Sequence, residues 1–208
     1  RRMSVRKIPD WPEIWFLRHG ETEWNRQGRI QGHRDSALTV RGRAQARQQA
    51  GIMQDIAQQV AAAGTGGLYV SPLGRARQTA TLALPGHTPI VDPRLAEIAT
   101  GAWEGMLKAD LPKGVNDLAI YSNAPEGEGL EALMARVRSF AEDLTGPSIV
   151  VSHGLWGQVL RGLAQGLTPE AMGNQTNRQG CVYHIRDGQV TCLEPESDAI
   201  QVSIKSPE

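Results

Sequence analysis

Three short runs constrain this chain more than any other feature: "EIWFL" at 13–17, "GLYV" at 67–70 and "PSIVV" at 147–151. Each has the length of a strand, is rich in β-forming residues and leads towards a helical segment. Runs that are apolar at successive positions predict strands covered on both faces, as in a parallel sheet flanked by helices. The expected fold class is therefore α/β: a three-layer α/β/α arrangement with a mostly parallel central sheet, one antiparallel edge strand and a short lid insertion. With 208 residues, the chain suits a single domain over 1–208 and can bury a substantial core.

The segments between the strands carry helix signals. Thr39 is a suitable N-cap for a helix running to about residue 62. Ala46, Ala50, Met53, Ala57 and Val60 place one apolar stripe along it, and Gly64, Gly66 and Gly67 end it. A second helix is expected over 73–83, closed by Pro85-Gly86. A third is expected over about 129–144, with Leu130, Leu133, Met134, Val137 and Phe140 on one side, and a fourth after His153. Residues 102–128 hold Pro112, Gly114, Pro125 and Gly127 and show little periodicity. They read as a lid over the end of the sheet.

"VYHIRDGQVT" reads as a hairpin turning at Asp187-Gly188. In that register Cys181 faces Glu194 and Cys192 faces Tyr183. The two cysteines are then diagonal neighbours, which disfavours a relaxed disulfide. Reduced thiols fit a cytoplasmic protein. Lysine plus arginine equals aspartate plus glutamate at 22 each, so charge gives no case for nucleic acid or an anionic membrane as partner. No apolar run reaches the roughly 18 residues of a membrane helix. The basic start "RRMSVRKIPD" lacks the apolar segment of a signal peptide, and Met3 is the expected natural start. A homodimer is compatible with the chain.

In open α/β sheets, ligands bind at the carboxyl ends of the parallel strands. The first such end delivers Arg18 and His19, the second is followed by Ser71-Pro72-Leu73-Gly74-Arg75, and the third by Ser152-His153-Gly154. Two arginines and two histidines can thus converge on one edge, near helix N-termini whose free N–H groups favour anions. That combination suits a phosphate dianion. Gly20 is expected to let the backbone turn close beside the anion.

In order and spacing, "LRHGETEWN", Arg29-Ile30-Gln31-Gly32, "ALTVRGRAQA", "SPLGRARQTA", "LAEIATGAWEG" and "VSHG" resemble the histidine phosphatase superfamily, and within it the phosphoglycerate-mutase-like branch. The resemblance covers roughly residues 14–165. It implies that His19 is a nucleophile that becomes phosphorylated. It also implies that Arg18, Arg75 and His153 bind phosphoryl oxygens, that Asn25 and Gln31 add polar contacts, and that Glu97 is the general acid and base. The chemistry is consistent: phosphoryl transfer needs in-line positioning and stabilisation of charge on the equatorial oxygens. Arg18, Arg75 and a protonated His153 can supply this without a metal. A histidine nucleophile must be neutral, and nearby arginines favour that form. Glu97 must start protonated, which predicts better activity at mildly acidic than at alkaline pH.

Other residues have structural readings. Glu104 is expected to set a turn or lid contact, and Glu21 and Thr22 to shape the loop after His19. His33, His87 and His184 are expected at the surface or in packing. No pair of histidines has metal-motif spacing and there is no Cys-x-x-Cys, so neither a metal nor another cofactor is expected.

The resemblance spans mutases, which return the phosphoryl group to a bound acceptor, and phosphatases, which give it to water. A phosphoglycerate mutase needs cations for a second phosphate and a carboxylate. The excursion 102–128 sets Lys108 and Lys113 against Glu104, Asp110, Asp117, Glu126 and Glu128, a net charge of −3. That favours a phosphatase acting on a small phosphomonoester. The alternatives are a phosphoglycerate mutase and a catalytically silent phospho-ligand binding protein. In the stretch before the third helix, Gly129 follows Glu128 where the family often has serine, so that helix is expected to start without a hydroxyl cap.

Overall fold

The computed structural model describes residues 8–196. The expected start at Met3 lies outside the described residues. The strands are β1 (Ile14–Arg18), β2 (Leu68–Val70), β3 (Ile90–Val91), β4 (Ser148–Ser152), β5 (Val182–Arg186) and β6 (Gln189–Leu193). The helices are α1 (Glu23–Gln27), α2 (Val40–Ala63), α3 (Gly74–Ala83), α4 (Asp117–Tyr121), α5 (Gly129–Glu142), α6 (Gly154–Gln165) and α7 (Pro169–Met172). All six strands form one sheet in the order β3-β2-β4-β1-β5-β6.

β3, β2, β4 and β1 run parallel. The hairpin adds two strands, with β5 antiparallel to β1 and β6 antiparallel to β5. The strand of opposite direction is thus one place in from the edge, a detail the expectation of a single antiparallel edge strand did not contain. Tyr183 faces Cys192 as the hairpin register predicts, and both cysteines are free. Asp187 (φ 50°) and Gly188 (φ 74°) form the left-handed turn that a two-residue hairpin loop requires.

The apolar runs separate by strand alternation into two cores. Ile14, Phe16 and Val150 face α5 and α6, packing with Val137, Phe140, Trp156 and Val159. Leu17, Ile149 and Val151 face α2 and α3, packing with Met53, Ala57, Ala76 and Ala80. Trp156 is fully buried, and its ring lies 5.8 Å from that of Phe140 and 6.1 Å from that of Phe16. Burial of a side chain of this size contributes about 3 kcal/mol.

α2 begins at Thr39, whose hydroxyl accepts from the Gly42 N–H at 3.0 Å, and ends at Gly64 with φ 63°. One position on its stripe differs from expectation. Gln49 is fully buried, whereas Ala50 is half-buried. The Gln49 amide donates to the carbonyls of Arg18 (2.9 Å) and Cys181 (3.1 Å). A buried amide with two carbonyl partners is satisfied, and it ties the end of β1 to the start of β5.

The register of β1 on β4 pairs Ile14 with Ser148 and Arg18 with Ser152, so the two strands end level. The Ser71 N–H donates to the Val151 carbonyl at 3.0 Å, which brings the end of β2 to the same edge. All three expected strand ends are therefore neighbours. Residues 102–128 cross this edge as turns, short 3-10 segments and α4. Among the described residues, no helix is long and apolar enough to cross a membrane.

Candidate active site

A cavity of about 320 Å³ opens at this edge, lined by Arg18, His19, Asn25, Gln31, Arg75 and Glu97 together with lid residues. The loop that carries His19 is tied down by its backbone. The His19 N–H donates to the Ser152 carbonyl and the Gly20 N–H to the Thr79 hydroxyl, both at 3.0 Å. The His19 Nδ1 lies 2.7 Å from the Gly20 carbonyl oxygen. A carbonyl can only accept, so Nδ1 carries the proton and, in the neutral ring, Nε2 keeps its lone pair. Burial, with Arg75 and Arg18 adding to it, holds the His19 pKa well below the ordinary imidazole value, against the opposing backbone bond to Gly20.

Gly20 has a packing role that the sequence did not show. A side chain there would run into the carbonyl of Gly42 on α2, and one at Gly42 would run into the carbonyl of Glu21. Its smallness serves close packing of the loop against α2. Thr22, expected to shape this loop, caps α1 and is fully buried.

Arg75 is almost completely buried. Its Nη1 donates to the Arg34 carbonyl (2.6 Å) and Asp35 Oδ1 (3.0 Å), and its Nη2 to the Gly32 carbonyl (2.8 Å). Arg18 donates from Nη1 to the Asn177 carbonyl at 2.5 Å. The Nε atoms of both arginines are buried without a protein hydrogen-bond partner. Two such donors on cavity-lining guanidinium groups suit an oxyanion.

Glu97 binds the start of α6. Its Oε2 accepts from the Leu155 N–H (2.9 Å), and its Oε1 from the N–H groups of Trp156 (3.0 Å) and Ile98 (2.9 Å). His153, at the N-cap position, makes no side-chain capping bond. The carboxylate of Glu97 thus satisfies N–H groups that a helix start leaves free.

His153 is fully buried and stands beside His19, outside the residues lining the cavity. Its Nε2 lies 2.7 Å from the Ser71 hydroxyl, and its Nδ1 is buried without a partner. Burial first, then Arg75, holds its pKa well below the ordinary value. The protonated His153 expected from the sequence is thus disfavoured by the burial of the ring and by Arg75.

Asn25 and Gln31 line the cavity, but each also has a structural bond. Asn25 Oδ1 accepts from the Thr22 N–H at 3.1 Å, completing a capping box on α1. Gln31 Oε1 accepts from the Ser36 hydroxyl at 2.8 Å. Glu104 makes the expected lid contact, accepting from the His33 N–H at 2.9 Å. His33 is exposed, yet its Nε2 donates to the Glu97 carbonyl at 2.8 Å. His184 packs as expected, stacked on Trp15 and bonded to Glu13.

Several lining residues have no signal in the sequence. Asn177 and Gln179 arrive from the loop before β5, and Thr100, Lys108, Asp117 and Tyr121 come from the lid and its approach. The Lys108 Nζ pairs with Asp117 at 2.6 Å. Apart from Thr100, which lies in "LAEIATGAWEG", these side chains sit in no motif, and the folded lid brings Lys108, Asp117 and Tyr121 over the strand ends.

Comparison with known proteins decides the family. A sequence profile described as histidine phosphatase superfamily (branch 1) matches residues 14–195, most of the chain. The chain belongs to the histidine phosphatase superfamily. It is similar to a probable phosphoglycerate mutase GpmB of Enterobacter sp. (strain 638), with 34% identity over 161 residues, covering 69% of this chain and 70% of that one. Among solved structures it resembles a proposed alpha-ribazole-5′-P phosphatase from Escherichia coli K-12, with TM-score 0.69 and 28% identity over 93% of this chain and 100% of that one. It also resembles a phosphoglycerate mutase from Thermus thermophilus, with TM-score 0.65 and 35% identity over 87% of this chain and 98% of that one. Both activities thus occur by name among the relatives of this superfamily member.

Proposed function

We propose that the protein is a phosphatase that hydrolyses a small phosphomonoester through a phosphohistidine on His19. The observation that carries this reading is the fixed tautomer of His19. Its Nδ1 proton is committed to the Gly20 carbonyl, which leaves Nε2 a neutral nucleophile between two arginines. In the proposed reaction, Nε2 attacks phosphorus, the bond from phosphorus to the ester oxygen breaks, and Glu97 gives that oxygen a proton. Water then attacks the phosphohistidine, Glu97 takes its proton, and orthophosphate leaves as His19 is restored. Arg18 and Arg75 hold the equatorial oxygens as charge moves across them. His153 is proposed to act beside the nucleophile, its ring edge-on to that of His19 and its Nε2 at the Ser71 hydroxyl.

Hydrolysis is favoured over a mutase by the far side of the cavity. The lid cation there, Lys108, is already paired with Asp117. Arg29, the neighbouring cation of the lining, donates to Gln27 and to the Gly105 carbonyl, so a bisphosphorylated intermediate would meet no preformed cationic cradle at that end. The free thiols Cys181 and Cys192 support a cytoplasmic location. The test is a panel of phosphomonoesters with acid-labile phosphoenzyme trapping. EDTA-resistant hydrolysis lost in His19→Ala is the expected result. Efficient interconversion of 3- and 2-phosphoglycerate would instead establish the mutase.

A further inference from the structure

One side chain outside the cavity organises the segment that carries Glu97. Arg136, on α5, donates from Nη1 to the carbonyls of Arg94 (2.8 Å) and Ala96 (2.6 Å), and from Nη2 to the carbonyl of Glu97 (3.0 Å). Its remaining donors engage Glu128: Nη2 to Oε1 at 2.6 Å and Nε to Oε2 at 3.1 Å. Both partners of this ion pair are about one-fifth exposed, so it is screened less than a surface pair.

Glu128 is itself attached to the same segment. Its Oε1 accepts from the Ala99 N–H at 2.9 Å, and its own N–H donates to the Ala99 carbonyl at 3.1 Å. It stands at the C-terminal end of the lid, immediately before α5. The carbonyls of residues 94, 96 and 97 are therefore hooked by one guanidinium, and that guanidinium is fixed by the residue where the lid ends. As expected, α5 starts without a hydroxyl cap: Glu128 caps nothing in the helix and is bonded sideways to Arg136 and Ala99.

Resting on the proposed function above, we infer that Arg136 and Glu128 are positioning residues for Glu97, holding its carboxyl at the leaving oxygen and coupling it to the end of the lid. Neither side chain lines the cavity, so they act through the backbone of residues 94–99. A guanidinium can serve three carbonyls and a carboxylate together because its donors form a rigid fork; an ammonium cannot match that geometry.

The test is the leaving-group dependence of kcat/KM across substituted phenyl phosphates, from p-nitrophenyl phosphate to phenyl phosphate, which reports formation of the phosphohistidine. Nitrophenolate departs without a proton, whereas a less acidic phenol needs one. The wild type should show a shallow dependence. Arg136→Lys should lose about tenfold or more on phenyl phosphate relative to p-nitrophenyl phosphate, within the range of general acid catalysis. Where Arg136→Lys melts below the assay temperature, Glu128→Gln carries the same test with a smaller change of shape. Equal losses across the series would assign Arg136 to stability alone and overturn the inference. A wild type that hydrolyses no member would overturn the phosphatase reading and this inference with it, whereas wild-type turnover with equal losses removes only the inference.

Discussion

The ring of His153 meets that of His19 edge-on, with centroids 5.2 Å apart and planes at 60°. Both rings are buried, and burial is the main cause that lowers both pKa values, with Arg75 acting on each. In the unfolded chain both would titrate near the ordinary value of about 6.5. The unfolded state therefore binds more protons below that pH, and the stability the neutral rings contribute is lost as pH falls through their lowered folded values. The thermal midpoint should decline from about pH 6.5 downwards, and His19→Gln should make that decline shallower. A melting profile with identical acid dependence in wild type and variant would refute the assignment.

Arg75→Lys should lower kcat/KM on any phosphomonoester by about 100-fold, because an ammonium cannot replace the fork. It should also cost roughly 1–3 kcal/mol of stability, since the carbonyls of Gly32 and Arg34 lose buried partners. Steady-state kinetics and urea denaturation read the two effects separately.

Glu97→Gln should reduce hydrolysis of esters with poor leaving groups by about 10²–10⁴-fold while sparing p-nitrophenyl phosphate at the phosphorylation step. It should also weaken the start of α6, where the carboxylate accepts from Leu155 and Trp156, by about 1 kcal/mol. Rates with the two ester types and a thermal melt check this. Comparable losses of kcat/KM on both would remove Glu97 as the proton donor.

Lys108→Ala should change kcat/KM by less than about threefold on an ester with a neutral leaving group, because the pair with Asp117 is half-exposed and worth little. A loss much greater than this, confined to substrates with a second anionic group, would reopen the mutase reading. Competition between glycerol phosphate and phosphoglycerate measures it directly.

The strand ends were legible because the chemical residues lie within five positions of an apolar run, and three such junctions carry matching groups. The helices were legible from caps such as Thr39 and from the stripe through Met53 and Val60. Gln49 was missed because a polar residue in a helix reads as surface; only two carbonyls meeting at its amide explain its burial. β3 was missed because it is two residues long, with Ile90 and Val91 both exposed. The environment of His153 was not legible because sequence shows its cationic neighbours but not its complete burial. The cavity's far wall, with Asn177, Lys108 and Tyr121, is assembled from loops and the short helix α4, which carry no motif.

The contact between Gly20 and Gly42 makes two distant positions one mechanical unit. Neither glycine has positive φ, so each is required for thinness and not for an unusual backbone shape. Alanine at either place should cost about 1–3 kcal/mol, as overpacking does, and a protease-resistance scan over both positions would detect it. A designer who wished to retune the nucleophile's loop could not begin with the loop. Its altitude above the sheet is set by a helix backbone more than twenty residues downstream. The first move would be to shift or bend the start of α2.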